Sequence, residues 1–270
     1  MWGEVHKSPN MVALYHFNEA YGGGVKIDAM GNYDMTSGSN VSYDDALTKV
    51  KNALFLDPPS TNDNQGDIYT TATSAKMNYQ DVENLRTFGA WCFPTYVNNV
   101  YSGYRQEIVY SKGGTYLSFD LFKLGHWTSG SPGSLDNTFS FGYAVRVWEA
   151  DNTHAIVSFT TNQDYSFNKP YFLMVVYKPS SAGTNDGWID FYINFIKVDR
   201  RVDPGSVVNR WTSIYSESSD RYLYIGTPGN NPKASNIFEG RIDEVFLSKD
   251  ALTNVQINNM NVDWKNSFTI

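Results

Sequence analysis

Residues 188–196 read Trp-Ile-Asp-Phe-Tyr-Ile-Asn-Phe-Ile, and every second side chain in this stretch is apolar. Successive side chains of a β-strand point to opposite faces, so this period of two is typical of a strand that buries one face. The face that we expect in the core carries Ile189, Phe191, Ile193 and Phe195. The opposite face carries Trp188, Asp190, Tyr192 and Asn194. The stretch therefore predicts a strand packed against a second layer.

Comparable apolar and aromatic runs recur along the chain, and they are bounded by Gly, Pro, Asn or Asp, which favour turns. The runs occupy residues 12–17, 53–56, 88–93, 107–110, 116–122, 139–148, 155–160, 171–177, 188–198, 222–225 and 237–247. Only 18% of the residues are charged, which does not suit long solvated helices. The pattern predicts about eleven strands and an all-β fold.

One short helix is predicted near the C-terminus. Thr253-Asn254-Val255-Gln256 fits the capping-box pattern, in which the Thr and Gln side chains satisfy free N–H groups at a helix start. A chain of 270 residues without internal repeats or a charge-rich linker fits one large β domain. We therefore predict an N-terminal arm at residues 1–10, a single sandwich at 11–262 and a C-terminal tail at 263–270.

Composition excludes several classes of protein. The net charge of -7 argues against nucleic-acid binding, which depends on neutralising phosphates with Lys and Arg. Cys92 is the only cysteine, so an internal disulfide and a Cys-x-x-Cys metal site are excluded. No apolar run approaches the length of a membrane span, and the N-terminus lacks the apolar segment of a secretory signal. We expect no membrane insertion and no signal peptide, unless a signal has been removed.

The order of short motifs between residues 11 and 260 resembles the laminin-G-like jelly-roll domains of the concanavalin-A-like lectin and glucanase superfamily. The opening strand at 12–19 is similar to a family strand that ends in Phe-Asp-Glu, with Asn18 in place of Asp and His16 in place of Trp. The closing segment at 238–253, which begins Phe-Glu-Gly-Arg-Ile-Asp-Glu-Val, resembles the last strands and terminal helix. Further matching segments, in the family's order, are 27–32, 53–57, 88–94, 108–113 and 224–226. The resemblance implies a two-sheet antiparallel jelly-roll β-sandwich with one short C-terminal helix.

One departure from the family pattern concerns a hairpin. Asn194-Phe195 stands where the family usually has Asn-Gly in a tight turn. Because Phe does not readily adopt the positive φ that Gly supplies, we expect a longer hairpin that turns nearer Asp199 and Arg200.

The resemblance also implies a calcium site. Related domains often bind one structural calcium where the first loop meets the closing strand, and the matching positions are Asp28, Gly31, Asn32 and Asp243. Carboxylate, amide and carbonyl oxygens are the ligands that calcium prefers. The alternative is that Asp28 and Asn32 form an Asx-type turn, while Asp243 accepts backbone hydrogen bonds.

Catalysis is not favoured by the sequence. The glucanases of this superfamily carry their acids as Glu-x-Asp-x-(x)-Glu on one strand, and no such string occurs. Asp243 and Glu244 are adjacent, so we expect their side chains on opposite faces of a strand. The four histidines lack metal-ligand spacing, and no nucleophile elbow or phosphate loop is present. A glycoside hydrolase is therefore the weakest of the functions considered.

Aromatic and basic side chains in expected loops are the candidate ligand contacts. We expect loops at residues 60–69, 126–137 and 179–187, because these segments are polar insertions between strands. Flat rings stack on sugar faces, and Tyr and Arg anchor protein interfaces. The candidate residues are Tyr101, Tyr104, Arg105, His126, Trp127 and Tyr165. The alternative is that these rings fold back and cover the core.

Two functions remain after these exclusions. The first is a non-catalytic module that recognises a glycan or a cell-surface protein and is displayed on a phage particle. The second is a structural virion protein, such as a capsid decoration, fibre or tail component, which attaches to other subunits through residues 1–10. Either function is compatible with a homo-oligomer. Both imply a virion or extracellular location without a recognisable signal peptide.

Overall fold

The computed structural model describes twelve segments of the chain: residues 10–17, 25–26, 28–36, 41–44, 53–56, 74–95, 104–113, 115–127, 135–206, 209–216, 221–228 and 236–267. The strands in them are β1 (Met11–Tyr15), β2 (Val25–Lys26), β3 (Met35–Thr36), β4 (Val41–Asp44), β5 (Ala53–Leu56), β6 (Ser74–Met77), β7 (Thr87–Pro94), β8 (Arg105–Gly113), β9 (Tyr116–Trp127), β10 (Leu135–Glu149), β11 (His154–Thr160), β12 (Tyr165–Ser166), β13 (Tyr171–Lys178), β14 (Trp188–Ile193), β15 (Ile196–Val202), β16 (Trp211–Ile214), β17 (Arg221–Ile225) and β18 (Gly240–Ser248). The helices are α1 (Tyr79–Glu83) and α2 (Asn254–Ser267).

The described strands form two antiparallel sheets. The smaller sheet has eight strands in the order β15-β14-β13-β7-β18-β5-β4, with β1 also paired to β18. The larger sheet has ten strands in the order β11-β10-β9-β8-β17-β6-β3-β2, with β12 and β16 paired to β10. This arrangement confirms the predicted all-β, two-sheet sandwich with a C-terminal helix.

The main hydrophobic core lies between the sheets and contains the face predicted from the alternation in β14. Ile189, Phe191 and Ile193 are buried in it, and Phe191 packs against Tyr143 of β10 with ring centroids 5.3 Å apart. Cys92 of β7 is buried in the same core, and burial raises the pKa of its thiol well above the ordinary value. The thiol is therefore a small apolar filler of this core.

The prediction of a longer hairpin after β14 was wrong. Asn194 and Phe195 alone connect β14 to β15, and their φ angles are 50° and 65°. The Asn194 N–H donates to the Phe172 carbonyl at 2.8 Å, and Asn194 Oδ1 accepts from the Phe172 N–H at 2.9 Å. The Phe195 ring stacks on the Phe172 ring with centroids 4.4 Å apart. Tertiary packing therefore stabilises a left-handed conformation that Phe disfavours on its own.

A second hydrophobic cluster covers the outer face of the smaller sheet. It contains Phe195 together with Met11, Leu14, Trp91, Phe172, Met174, Val176, Tyr192, Phe246, Leu252, Ile257 and Met260. Helix α2 supplies Ile257 and Met260, and its start has the predicted capping box, with Gln256 Oε1 accepting from the Thr253 N–H at 2.9 Å. The helix continues past residue 262, into the segment expected as a tail. Both faces of β14 are consequently buried.

Two further features complete the description. Helix α1, which the sequence did not predict, is capped by Asn78, whose side chain accepts from the Gln80 N–H at 2.9 Å. Within the described part of the chain, no helix is long and apolar enough to cross a membrane.

Candidate ligand-binding face

The outer face of the larger sheet is the richest candidate site in the described residues. Alternate residues of β9, β10 and β17 lie in the core, so their neighbours in sequence point away from it. Cross-strand pairing places side chains of β6, β8, β9, β10 and β17 next to each other on this outer face. They are Lys76, Arg105, Glu107, Tyr110, Lys112, Ser118, Asp120, Phe122, Arg146, Tyr222 and Tyr224. We call this set the outer face.

Two buried carboxyl groups and one arginine form the centre of the outer face. Arg105 Nε lies 3.2 Å from Glu107 Oε1, and Arg105 Nη2 pairs with Asp120 Oδ2. The guanidinium group lies 3.8 Å from the centroid of the Phe122 ring. A Cβ atom added to Gly142 of β10 would lie only 2.4 Å from the Phe122 ring, so this position must be glycine to leave room for the ring. The cluster is thus held by a cation–π contact as well as by charge.

The two carboxyl groups titrate as a pair. Burial, followed by the charge of Asp120, raises the pKa of Glu107 well above its ordinary value. Burial also raises the pKa of Asp120, against the opposing effect of Arg105. Each carboxyl group therefore influences the protonation of the other. Burial and the two carboxyl groups raise the pKa of the neighbouring Tyr110 hydroxyl to about 12.

The surroundings of this pair do not suit glycoside hydrolysis. A glycosidase needs two carboxyl groups that are open to the sugar on either side of the scissile bond. Glu107 and Asp120 are both buried, and both are paired with the same Arg105 guanidinium group.

Within the described segments, three buried polar atoms of the outer face have no hydrogen-bond partner: Asp120 Oδ1, Ser118 Oγ and Arg146 Nε. Asp120 and Ser118 are alternate residues of β9, and Arg146 lies on the adjacent strand β10. The Arg146 guanidinium is 4.8 Å from the centroid of the Tyr116 ring. Buried polar groups normally have partners, so unpaired donors and acceptors beside aromatic rings are suited to a polar, hydroxyl-rich ligand.

Tyrosine rings border these atoms and are open to solvent. Tyr116 is 39% exposed and Tyr222 is 38% exposed. Tyr222 lies beside Tyr224, with ring centroids 6.1 Å apart, and both are paired in register with β8. Such rings can pack against the apolar face of a sugar.

The structure places the predicted ligand residues in different environments. Arg105 and His126 both lie on the larger sheet, and His126 is in strand β9 rather than in the predicted loop. Tyr104 is exposed immediately before β8. Trp127 ends β9, and Tyr101 lies outside the described residues. The prediction that Tyr165 contacts a ligand is corrected, because its ring is buried in the core against Phe139 and Phe141.

The predicted calcium ligand Asp28 is already saturated with hydrogen bonds. Its Oδ1 accepts from the N–H groups of Leu14 and Met30, at 2.8 and 3.0 Å, and its Oδ2 accepts from those of Asn32 and Tyr33, both at 3.0 Å. These four bonds occupy all the acceptor positions of the carboxylate. A calcium ion would also face four N–H groups, which are donors and not ligands. Asp28 therefore does not fit as a calcium ligand. This geometry matches the Asx-type alternative.

Of the other predicted calcium ligands, Gly31 and Asn32 lie in the same turn as Asp28, whereas Asp243 lies on β18. Tyr15 bridges to Asp28 on one side and pairs with Val245 on the other, which places β1 between Asp28 and β18. Asn32 Nδ2 donates to the Val12 carbonyl at 3.0 Å. Among the residues that the structure describes, no group of three or more His, Cys, Asp or Glu side chains is placed to hold a metal ion.

The neighbourhood of Asp243 differs from a regular strand. A β-bulge follows this residue, Glu244 has a φ of 48°, and the Glu244 N–H donates to Asp243 Oδ1 at 2.8 Å. The Glu244 carboxylate lies 2.8 Å from His16 Nδ1. The simple alternation that we expected for Asp243 and Glu244 is therefore interrupted by the bulge.

Sequence reasoning missed most of the outer face. Glu107, Asp120 and Arg146 lie on three strands, so no single segment brings them together. The alternation within each strand was a partial signal, because a charged residue inside an apolar strand usually lies on the side opposite the core. Lys123 of β9 is an exception, since it is fully buried beside the core rings of Phe139 and Phe167. The identity of the neighbours across the sheet required the strand order.

Comparisons with known proteins identify the fold. No protein-family profile matches this chain, and no curated protein does. The binding domain of Paraclostridial Mosquitocidal Protein 1 is similar with a TM-score of 0.59 and 14% identity, over 95% of this chain and 53% of that chain. The botulinum neurotoxin serotype D ligand binding domain, in complex with N-acetylneuraminic acid, has a TM-score of 0.53 and 12% identity, over 94% and 51%. Trypanosoma rangeli sialidase, in complex with sialic acid, has a TM-score of 0.54 and 12% identity, over 97% and 34%.

These structures contain jelly-roll, concanavalin-like β-sandwiches, and this chain has the same class of fold. The chain spans about half the length of the two toxin domains and about a third of the sialidase. At these identities the likeness defines the fold alone, since one fold hosts many functions.

Proposed function

We propose that this protein is a module that recognises a glycan on the outer face of its larger sheet without catalysing a reaction of that glycan. The observation that carries the proposal is the group of unpaired buried polar atoms on Asp120, Ser118 and Arg146, bordered by solvent-exposed tyrosine rings. Sugars present both hydroxyl groups and apolar ring faces, which is the combination that such a surface accepts.

The charges of the outer face support this proposal. Lys76 and Lys112 flank Tyr222 on the neighbouring strands, and Arg146 lies on β10 of the same face, although the whole chain carries a net charge of -7. Burial raises the pKa of both carboxyl groups at the centre, which disfavours their negatively charged forms. Hydroxyl and carboxylate groups of a saccharide would both find hydrogen-bond donors here.

The similar structures support the proposal without deciding it. Two of them are described as complexes with N-acetylneuraminic acid and sialic acid, which shows that sandwiches of this class occur in sugar-binding proteins. As parts of the same proposal, the sandwich is a laminin-G-like domain, it is displayed on a phage particle, and it acts in adhesion. A protein partner or assembly through residues 1–10 is the alternative, and residues 1–9 lie outside the described segments.

A glycan array of neutral and acidic oligosaccharides tests the proposal. We expect the wild-type protein to bind a subset of the array. Tyr222→Ala removes an exposed ring and should weaken that binding at least about tenfold, which corresponds to about 1.4 kcal/mol. Arg146→Gln should weaken it as well, because it removes a charged donor from the same face.

The matched control is Val202→Ala, which changes an exposed apolar side chain of β15 in the smaller sheet. This variant should bind as the wild type does. Absence of binding to every glycan would contradict recognition of a saccharide. Binding that Trp127→Ala or Tyr104→Ala abolishes, and Tyr222→Ala does not affect, would move the site to the loops.

A further inference from the structure

A serine, a histidine and an aspartate form a connected chain at one end of the larger sheet. His126 of β9 has its Nε2 atom 2.8 Å from Ser140 Oγ of the adjacent strand β10. The other ring nitrogen, Nδ1, is 3.1 Å from Asp164 Oδ1, in the connection between β11 and β12. Thr138 Oγ1 is also 3.3 Å from Nδ1. The three residues therefore meet in the order hydroxyl, imidazole, carboxylate.

Two neighbouring oxygen atoms favour a proton on Nδ1 of His126. A carboxylate oxygen of Asp164 lies 3.1 Å from Nδ1, and the Thr138 hydroxyl, 3.3 Å away, can accept a hydrogen bond from it. Nε2 is then the acceptor, and the Ser140 hydroxyl donates to it. This is the tautomer in which an imidazole can remove a proton from a serine.

We propose that Ser140 is a nucleophile toward small carboxylic esters, with His126 as its general base and Asp164 as the positioning residue. The distance between Ser140 and His126 lies in the range that a nucleophile and its base require. The proposal is separate from glycan recognition, because it involves none of the residues tested for that function.

The proposed reaction is balanced without an added oxidant or metal. The Ser140 Oγ–carbonyl bond forms as the hydroxyl proton passes to His126 Nε2. The ester C–O bond then breaks, and the alcohol leaves with that proton. Water attacks the acyl-serine, gives its proton to Nε2, and releases the carboxylic acid as Ser140 recovers its proton. Water is the only co-reactant.

Burial limits the size of the substrate and the contribution of the aspartate. Ser140 is only 3% exposed, so a small acyl group such as acetyl is favoured over a bulky one. The Asp164 side chain is 62% exposed, so solvent screens its effect on the imidazole. Loss of the Asp164 carboxylate should therefore reduce reactivity by about tenfold, well below the 10⁴-fold effect of a buried triad aspartate.

A fluorophosphonate probe tests the proposal on the full chain. Ser140 Oγ would displace fluoride from phosphorus while His126 takes the hydroxyl proton, leaving a stable phosphonyl-serine. Intact-mass and peptide mass spectrometry should locate one label at Ser140. Ser140→Ala and His126→Gln should abolish this label. Ser158→Ala changes an exposed serine of the neighbouring strand β11 and should leave it intact.

The role of Asp164 has its own test. Asp164→Asn should slow labelling by about tenfold, whereas Asp164→Glu should restore most of the rate, because it restores the carboxylate. Hydrolysis of p-nitrophenyl acetate should follow the same order among the variants. Melting temperatures within a few degrees of wild type would show that each variant is folded.

Three results would overturn the proposal. They are absence of a label at Ser140 in the wild-type protein, equal labelling of folded His126→Gln, and equal labelling of Asp164→Asn and wild type. Any of them would mean that the hydrogen bonds only join strands. Glycan binding that persists in Ser140→Ala would leave recognition standing whatever this experiment shows.

Discussion

At the scale of single residues, Phe195 is where packing and backbone preference oppose each other most clearly. Its φ of 65° lies in the left-handed region, which disfavours a side chain by about 1–2 kcal/mol. Its ring is buried against Phe172 and lies 6.3 Å from Trp91. Burying a large aromatic ring contributes more than this strain, so the two-residue turn forms.

This balance predicts an order of stability for two variants. Phe195→Ala loses the ring but keeps the strained backbone, and should lower the free energy of unfolding by about 3–5 kcal/mol. Phe195→Gly loses the same ring but relieves the strain, and should be about 1 kcal/mol more stable than Phe195→Ala. Urea unfolding measures both. An alanine variant as stable as the glycine variant, or more so, would contradict the account of the turn.

Glu107 predicts a dependence of stability on pH. Its folded pKa is raised well above the ordinary value of 4.5, so above about pH 4.5 the folded state binds more protons than the unfolded state. The stability from this group is complete below that pH and is lost as the pH rises through the folded pKa, by at most about 1.4 kcal/mol per pH unit.

The variant Glu107→Gln tests this sign. Glutamine keeps the shape of the protonated acid, and its amide can still donate to Asp120. The variant should match wild type near pH 4 and exceed it in free energy of unfolding at pH 8. Denaturant unfolding at several pH values measures the difference. An equal loss of stability at pH 4 and pH 8 would contradict the raised pKa of Glu107.

The hydrogen bonds of Asp28 allow a test that distinguishes a hydrogen-bonded turn from a calcium site. Asp28→Asn replaces one acceptor oxygen with an amide donor, so two N–H groups lose their partner and stability should fall by about 1–3 kcal/mol. In the wild type, the melting temperature should be the same with a chelator and after addition of calcium. A rise of several degrees with calcium would favour the cation.

At the scale of elements, long strands were predictable and short ones were not. Strands β7 and β13 follow apolar runs, and β10 contains a long stretch that alternates between core and polar positions, so the sequence located all three. The paired segments β2 and β3 have two residues each, too few to show a period. They are strands only because a partner lies beside them. The run at 188–198 was read as one strand but contains two, because a turn with apolar side chains looks like a continuous strand.

The packing of helix α2 on the smaller sheet should contribute to the free energy of unfolding. Ile257 is buried in the second hydrophobic cluster, whereas Val255 on the same helix is exposed. Ile257→Ala should lower the free energy of unfolding by about 2–4 kcal/mol. Val255→Ala, the matched control, should change it by less than about 0.5 kcal/mol. Equal effects in thermal or urea unfolding would mean that the helix does not rest on the sheet through this face.

At the scale of the whole molecule, the fold followed from local patterns but the candidate site did not. Alternation, turn residues and motif order are properties of short segments, and together they predicted a two-sheet sandwich. The outer face joins Arg105, Asp120, Arg146 and Tyr222 from four strands, so its composition depends on strand order and register. Arg105 was predicted because it lies near tyrosines in sequence. Its two carboxyl partners, Glu107 and Asp120, became evident only from the pairing of β8 with β9.

The central claim is that the ligand lies on the outer face of the larger sheet, and hydroxyl-radical footprinting measures this most directly. The experiment compares oxidation of Tyr116, Tyr222 and Tyr104, whose exposures of 39%, 38% and 42% are nearly equal in the free protein. With a glycan selected on the array at saturation, oxidation of Tyr116 and Tyr222 should fall at least about threefold, while the exposed Ile196 of the smaller sheet should be unchanged. Protection confined to Tyr104 and the loops, or protection of Ile196 alone, would contradict the claim.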